Sequence, residues 1–132
     1  SHYPGYDAEL SASGLNSGFC LFEDQPGGGQ VKLAAGKEMA KDGHCTYIPG
    51  GRYILNDTYP DQDRMAHLML YDTAENRVIP VHQFFMPPEY KGEWRCDLHP
   101  RSSRGGSLVA VDAPHRDEGR QIHLVDISAV TG

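Results

Sequence analysis

The stretch Lys41-Asp42-Gly43-His44-Cys45-Thr46-Tyr47-Ile48-Pro49-Gly50-Gly51, running on into Arg52-Tyr53-Ile54-Leu55-Asn56-Asp57, decides the fold because it occurs twice. Its second copy is Cys96-Asp97-Leu98-His99-Pro100-Arg101-Ser102-Ser103-Arg104-Gly105-Gly106, followed by Ser107-Leu108-Val109-Ala110-Val111-Asp112. His44 falls on His99, Gly50-Gly51 on Gly105-Gly106 and Asp57 on Asp112, at a constant offset of 55 residues. A fixed offset over this much chain is the mark of a structural repeat. Each copy reads as a β-hairpin. The paired glycines offer the positive φ of a tight turn, and the runs after them are short and rich in strand formers.

The copies continue downstream. Leu68-Met69-Leu70-Tyr71-Asp72-Thr73 reads as a third strand ending in a turn, and Ile122-His123-Leu124-Val125-Asp126-Ile127 matches it with a slip of one residue. A hairpin, a third strand and a turn into a fourth make one four-stranded antiparallel unit of a propeller. The predicted class is therefore all-β, with about two to three blades of a partial propeller. Residues 1–40 read as a partial blade, 41–98 as a blade plus an aromatic loop, and 99–132 as a second partial blade. In the best-defined unit the predicted strands are His44 to Ile48, Arg52 to Asp57, His67 to Asp72 and Asn76 to Val81. The first of these carries no charge, as suits a strand buried against its neighbours. Residues 82–98 read as a long insertion holding the one Trp and Phe84, Phe85 and Tyr90. Such a loop covers a core edge or lines a ligand cleft.

Composition excludes some roles. The 132 residues suffice for one ordinary domain, and the formal net charge is -6 with a pI near 5.5. No basic run exists to neutralise phosphates, which argues against nucleic acid. No stretch approaches the ~20 apolar residues of a membrane span, and no signal peptide is visible. Three cysteines at wide spacing, Cys20, Cys45 and Cys96, are not a disulfide framework.

In a propeller the first strand of each blade lines a central channel, so equivalent positions converge there. His44 and His99 are such a pair, and His2 is a third candidate if Ser1-His2-Tyr3 begins the preceding inner strand. Converging imidazoles make a plausible divalent-metal site, zinc or manganese. Cys96 stands in C-x-x-H spacing with His99 and is a fourth candidate ligand. Cys45 should point to the other face of its strand. Chain reversal at each glycine pair should return Asp57 to the level of His44 and Asp112 to that of His99, where a carboxylate can fix an imidazole's tautomer. A hydrogen-bonded structural latch is the simpler use of the same residues.

The segments Asp42 to Arg52, Leu55 to Asp61 and Arg95 to Arg101 resemble the oligogalacturonate-lyase-like seven-bladed propellers, whose relatives include the TolB-like repeat proteins and the propeller ulvan lyases. Ser103 and Gly105 depart from the family pattern, which has an aromatic and an Asp there. The resemblance implies a secreted or periplasmic polysaccharide lyase, or a non-lyase cousin, with a channel metal held by His44 and His99. It also implies the C-terminal piece of a longer protein, in need of further blades or of self-association. The implied partner is an acidic oligosaccharide or polysaccharide. β-Elimination on a uronate needs the carboxylate neutralised, a base and an acid. Arg101 is the candidate for the carboxylate, and Tyr47, Tyr59 and His115 for proton transfer. The alternatives are a non-catalytic platform binding through residues 84–94 and a structural metal that pins blades together.

Overall fold

The computed structural model describes residues 12–14, 18–39 and 41–132. These residues form nine strands in three antiparallel sheets and close no barrel. The first sheet pairs β1 (Phe19–Phe22) with β2 (Val31–Ala34). The second is a four-stranded meander of β3 (Cys45–Tyr47), β4 (Tyr53–Asp57), β5 (Met65–Asp72) and β6 (Arg77–Phe85). The third joins β7 (Arg101–Ser102), β8 (Leu108–Ala113) and β9 (Gln121–Asp126), and a short helix α1 (Ser128–Thr131) follows. The all-β class is as the sequence predicts, and the sheets are consistent with successive blades of a partial propeller.

The repeat is physical, since the strand registers repeat as well as the residues. Thr46 pairs with Leu55, and 55 residues on, Arg101 pairs with Ala110. Tyr53 pairs with Asp72, and its counterpart Leu108 pairs with Asp126, which carries the one-residue slip into the third strand. The turns repeat too. Ile48 N–H donates to Tyr53 O and Gly51 N–H to Ile48 O, while Ser103 N–H donates to Leu108 O and Gly106 N–H to Ser103 O. Gly50 and Gly51 both have positive φ, but in the second turn only Gly106 does. A Cβ on Gly106 would lie 3.0 Å from Ile48 Cγ2, so one hairpin nests against the other.

Side chains alternate across a strand, and the middle sheet uses both faces. Ile54, Met69 and Tyr71 turn to the first sheet, where they pack with Ala34, Met39, Phe19 and Leu21. Leu55, Leu68 and Leu70 turn to the third, where they meet Val109, Val111 and Ala113. Each of these buried aliphatic chains contributes about 1.5–3 kcal/mol. Tyr53 OH donates to Val130 O and Thr131 Oγ1 to Gly106 O, so α1 ties the two sheets together.

Two readings need correction. β3 is exposed at all its residues, because it is the edge of its sheet and has only β4 beside it. Its lack of charge therefore does not come from burial. The fourth strand runs on to Phe85, so 82–85 are sheet and the insertion starts after them. Val81 is an extra residue between the pairs Leu68–His82 and Met69–Pro80. That bulge on an edge strand tolerates Pro80, which lacks the N–H of a ladder, and lets pairing resume beyond it. No helix among the described residues is long and apolar enough to cross a membrane, which says nothing of β-barrels.

Candidate metal centre

His44 stands just before β3 and is fixed by the end of β4. Its backbone N–H donates to Asp57 Oδ1, and its Nδ1 lies 3.2 Å from both oxygens of that carboxylate. Asp57 is buried, while the His44 side chain remains 34 % exposed. Gly43 makes the approach possible, because a Cβ there would come 1.9 Å from Asp57 O. With Nδ1 on the carboxylate, Nε2 is left as the free nitrogen for a ligand.

His99 lies in the irregular run ahead of β7. Leu98 is fully buried in the core and its carbonyl accepts the Asp112 N–H at 2.9 Å, which pins this run to β8. Leu98 is flanked by Asp97, whose side chain is only 9 % exposed, and by the exposed His99. His99 has φ +42, a left-handed conformation that a non-glycine residue holds at a cost of about 1–3 kcal/mol.

The two rings meet as the sequence predicts, with centroids 4.0 Å apart and planes inclined by 33°. The third group is Asp97. One ligand atom from each of His44, Asp97 and His99 lies within 4.8 Å of the others. Asp97 is ion-paired with Arg95, whose Nε donates to Oδ2 at 3.0 Å and lies 2.9 Å from Oδ1, while the buried Oδ1 makes no hydrogen bond of its own. That oxygen keeps acceptor capacity for a metal ion. Two imidazoles and one carboxylate fit zinc or manganese, and leave positions for water or substrate.

The other predicted residues divide. Tyr59 is at the site, edge-on to His44 at 5.8 Å and with the Arg95 guanidinium 4.9 Å from its ring centre. Arg101 is beside it but committed: Nη1 donates to His99 O and Asp112 Oδ2, and Nη2 to Asp112 Oδ1. That hydrogen-bonded pairing holds the Asp112 carboxyl below the usual range, against the opposing effect of burial, with a further contribution from His99. Asp112 thus serves Arg101, and the His99 Nδ1 faces Asp97 O at 3.4 Å instead.

Cys96 is a buried thiol that burial pushes up, a poor source of thiolate, and it is not among the three converging groups. Cys45 lies on the exposed edge strand and is not among the converging groups either. Tyr47 lies in an apolar cleft between the first two sheets, with Phe19, Leu21 and Met39. His115 belongs to another cleft, with His82, His123 and Phe84. There Phe85 N–H donates to His115 Nδ1, and burial, followed by Arg116, His123 and His82, lowers its basicity. His2 lies outside the described residues, as do residues 1–11, 15–17 and 40 of the predicted first partial blade.

Asp97 is the site residue that sequence reading passed over. Its signal was present in Asp97-Leu98-His99: two candidate ligands flanking one apolar residue. Asp42 is the counterpart of Asp97 at the same 55-residue offset, but Gly43 stands there where the second copy has the buried Leu98. No family model, curated protein or solved structure matches this chain.

Proposed function

We propose that His44, Asp97 and His99 hold a divalent cation, zinc or manganese, and that this face acts on uronate-containing glycans by β-elimination. The observation that carries the reading is the meeting of two imidazoles from two repeats, with ring centroids 4.0 Å apart, beside the Asp97 carboxylate, whose ligand atom lies within 4.8 Å of theirs. Such an ion, when bound, supplies Lewis acidity that lowers the barrier to losing the proton α to a sugar carboxylate. Asp57 keeps His44 oriented, and the Arg101–Asp112 pair braces the backbone at His99. Tyr59, of the three proton-transfer candidates, is the one whose ring packs against the site, so it takes that role here.

A structural metal is the second reading. It is favoured by the ligands' coming from two adjacent sheets, which an ion would pin together. Metal analysis of the purified protein, followed by ultraviolet absorbance of unsaturated products from pectin and ulvan oligosaccharides, tests both. About one ion per chain is expected, with product formation that His99→Ala abolishes. Bound metal without product supports the structural pin, and absence of retained metal overturns both readings.

A further inference from the structure

A second cleft opens beside the three converging groups, with a volume of about 330 Å³ and walls that include Arg95, Arg120, Asp97 and His99. Its two guanidinium groups share an arrangement. Arg95 is engaged through Nε alone, which donates to Asp97 Oδ2 at 3.0 Å, and its plane lies over the Tyr59 ring. Arg120 is engaged through Nη2 alone, which donates to Trp94 O at 2.6 Å, and it lies 5.7 Å from the Tyr90 ring centre. Each is tethered by one nitrogen and stacked on a tyrosine, which fixes the fork at little entropic cost. The remaining N–H groups of both make no hydrogen bond to another described residue. Arg101 is the contrast, since both its terminal nitrogens are already spent on Asp112 and the His99 carbonyl.

We propose that Arg95 and Arg120 form the carboxylate clamp of this cleft, binding a uronate carboxyl next to the cation. The choice of ligand rests on the function proposed above; the clamp itself rests on the free donors. A guanidinium fork matches a planar carboxylate, and two forks in one cleft make up its four acceptor positions. Asp97 and Asp112 also line the cleft, but Asp112 is already paired with Arg101, so Asp97 is the carboxylate left to oppose a bound anion. A divalent ion at Asp97 would offset that charge and strengthen anion binding at the clamp.

Trp94 is the one tryptophan, is largely exposed and holds Arg120 through its carbonyl, so its fluorescence reports on the cleft. The test is titration of the manganese-saturated protein with digalacturonate, followed by that fluorescence and by calorimetry. The fully methyl-esterified disaccharide is the neutral control. Arg95→Gln and Arg120→Gln should each weaken digalacturonate binding roughly tenfold, the loss of one charge-assisted hydrogen bond, and the ester should not bind the unsubstituted protein. Unchanged affinity in both variants, equal binding of the ester, or no binding of digalacturonate to the unsubstituted protein overturns the clamp. Arginine-dependent binding without product supports the clamp and removes the lyase. Product formation with unaltered binding in both variants does the reverse.

Discussion

The two hairpins share turn, register and the His-to-Asp spacing, yet they use the shared residues differently. In the first, Asp57 is buried and holds the His44 ring. In the second, Asp112 is drawn to Arg101, and His99 is left to be positioned by a left-handed backbone and its neighbours Leu98 and Pro100. The position that is Thr46 in one copy is Arg101 in the other, and that single difference redirects the carboxylate. A guanidinium offers two parallel donors to a carboxylate, which an imidazole cannot match. The repeat thus fixes where the side chains stand, and the local partners decide what each does.

The sharpest way to break the comparison is in the third strands. Leu70 and Leu124 are repeat counterparts, but Leu70 is 0 % exposed against the third sheet and Leu124 is 70 % exposed. Leu70→Ala should lower the unfolding free energy by about 2–5 kcal/mol and Leu124→Ala by less than about 0.5, read from denaturant midpoints. Equal effects would mean that the Leu124 face is covered in solution. Next, Asp57→Asn should weaken metal binding about 10–100-fold by isothermal titration, while Asp112→Asn stays within a few-fold. If both variants lose affinity alike, Asp112 serves His99 after all.

Gly43→Ala sharpens the same point from the backbone side. The added Cβ would collide with Asp57 O, so a loss of about 1–3 kcal/mol is expected, together with weaker metal binding. Leu98→Ala is no substitute for it, because that change only opens the core. The smallest effect concerns acid stability. Asp72 accepts from Arg52 Nε and Nη2, chiefly for which its carboxyl falls to about 2, whereas its counterpart Asp126 is lowered by Ser128. A carboxyl depressed in the folded state adds stability above the unfolded value of about 3.9, and this is lost as pH falls toward 2. Arg52→Gln should therefore move the acid unfolding midpoint to higher pH, and an unmoved midpoint would sink the pairing.

Much of this was legible because period-two strands and glycine turns are local. The 55-residue offset gave the hairpins, and the slip of one gave the third strands. The length of β6 was not legible, since a proline inside a strand reads as its end unless the bulge at Val81 is known. The exposure of β3 was hidden for a related reason: an edge strand and a buried one carry the same uncharged run.

The sequence by itself determined that the chain is built of repeated antiparallel hairpins with a histidine ahead of each, because residue spacing alone dictates register and facing. It did not determine the company those histidines keep. Asp97 beside the two rings, Arg101 bound to Asp112, and Tyr47 and His115 in other clefts were decided by the packing of one sheet on another. Hydrogen bonds and ion pairs between segments depend on ångström distances that no linear spacing encodes.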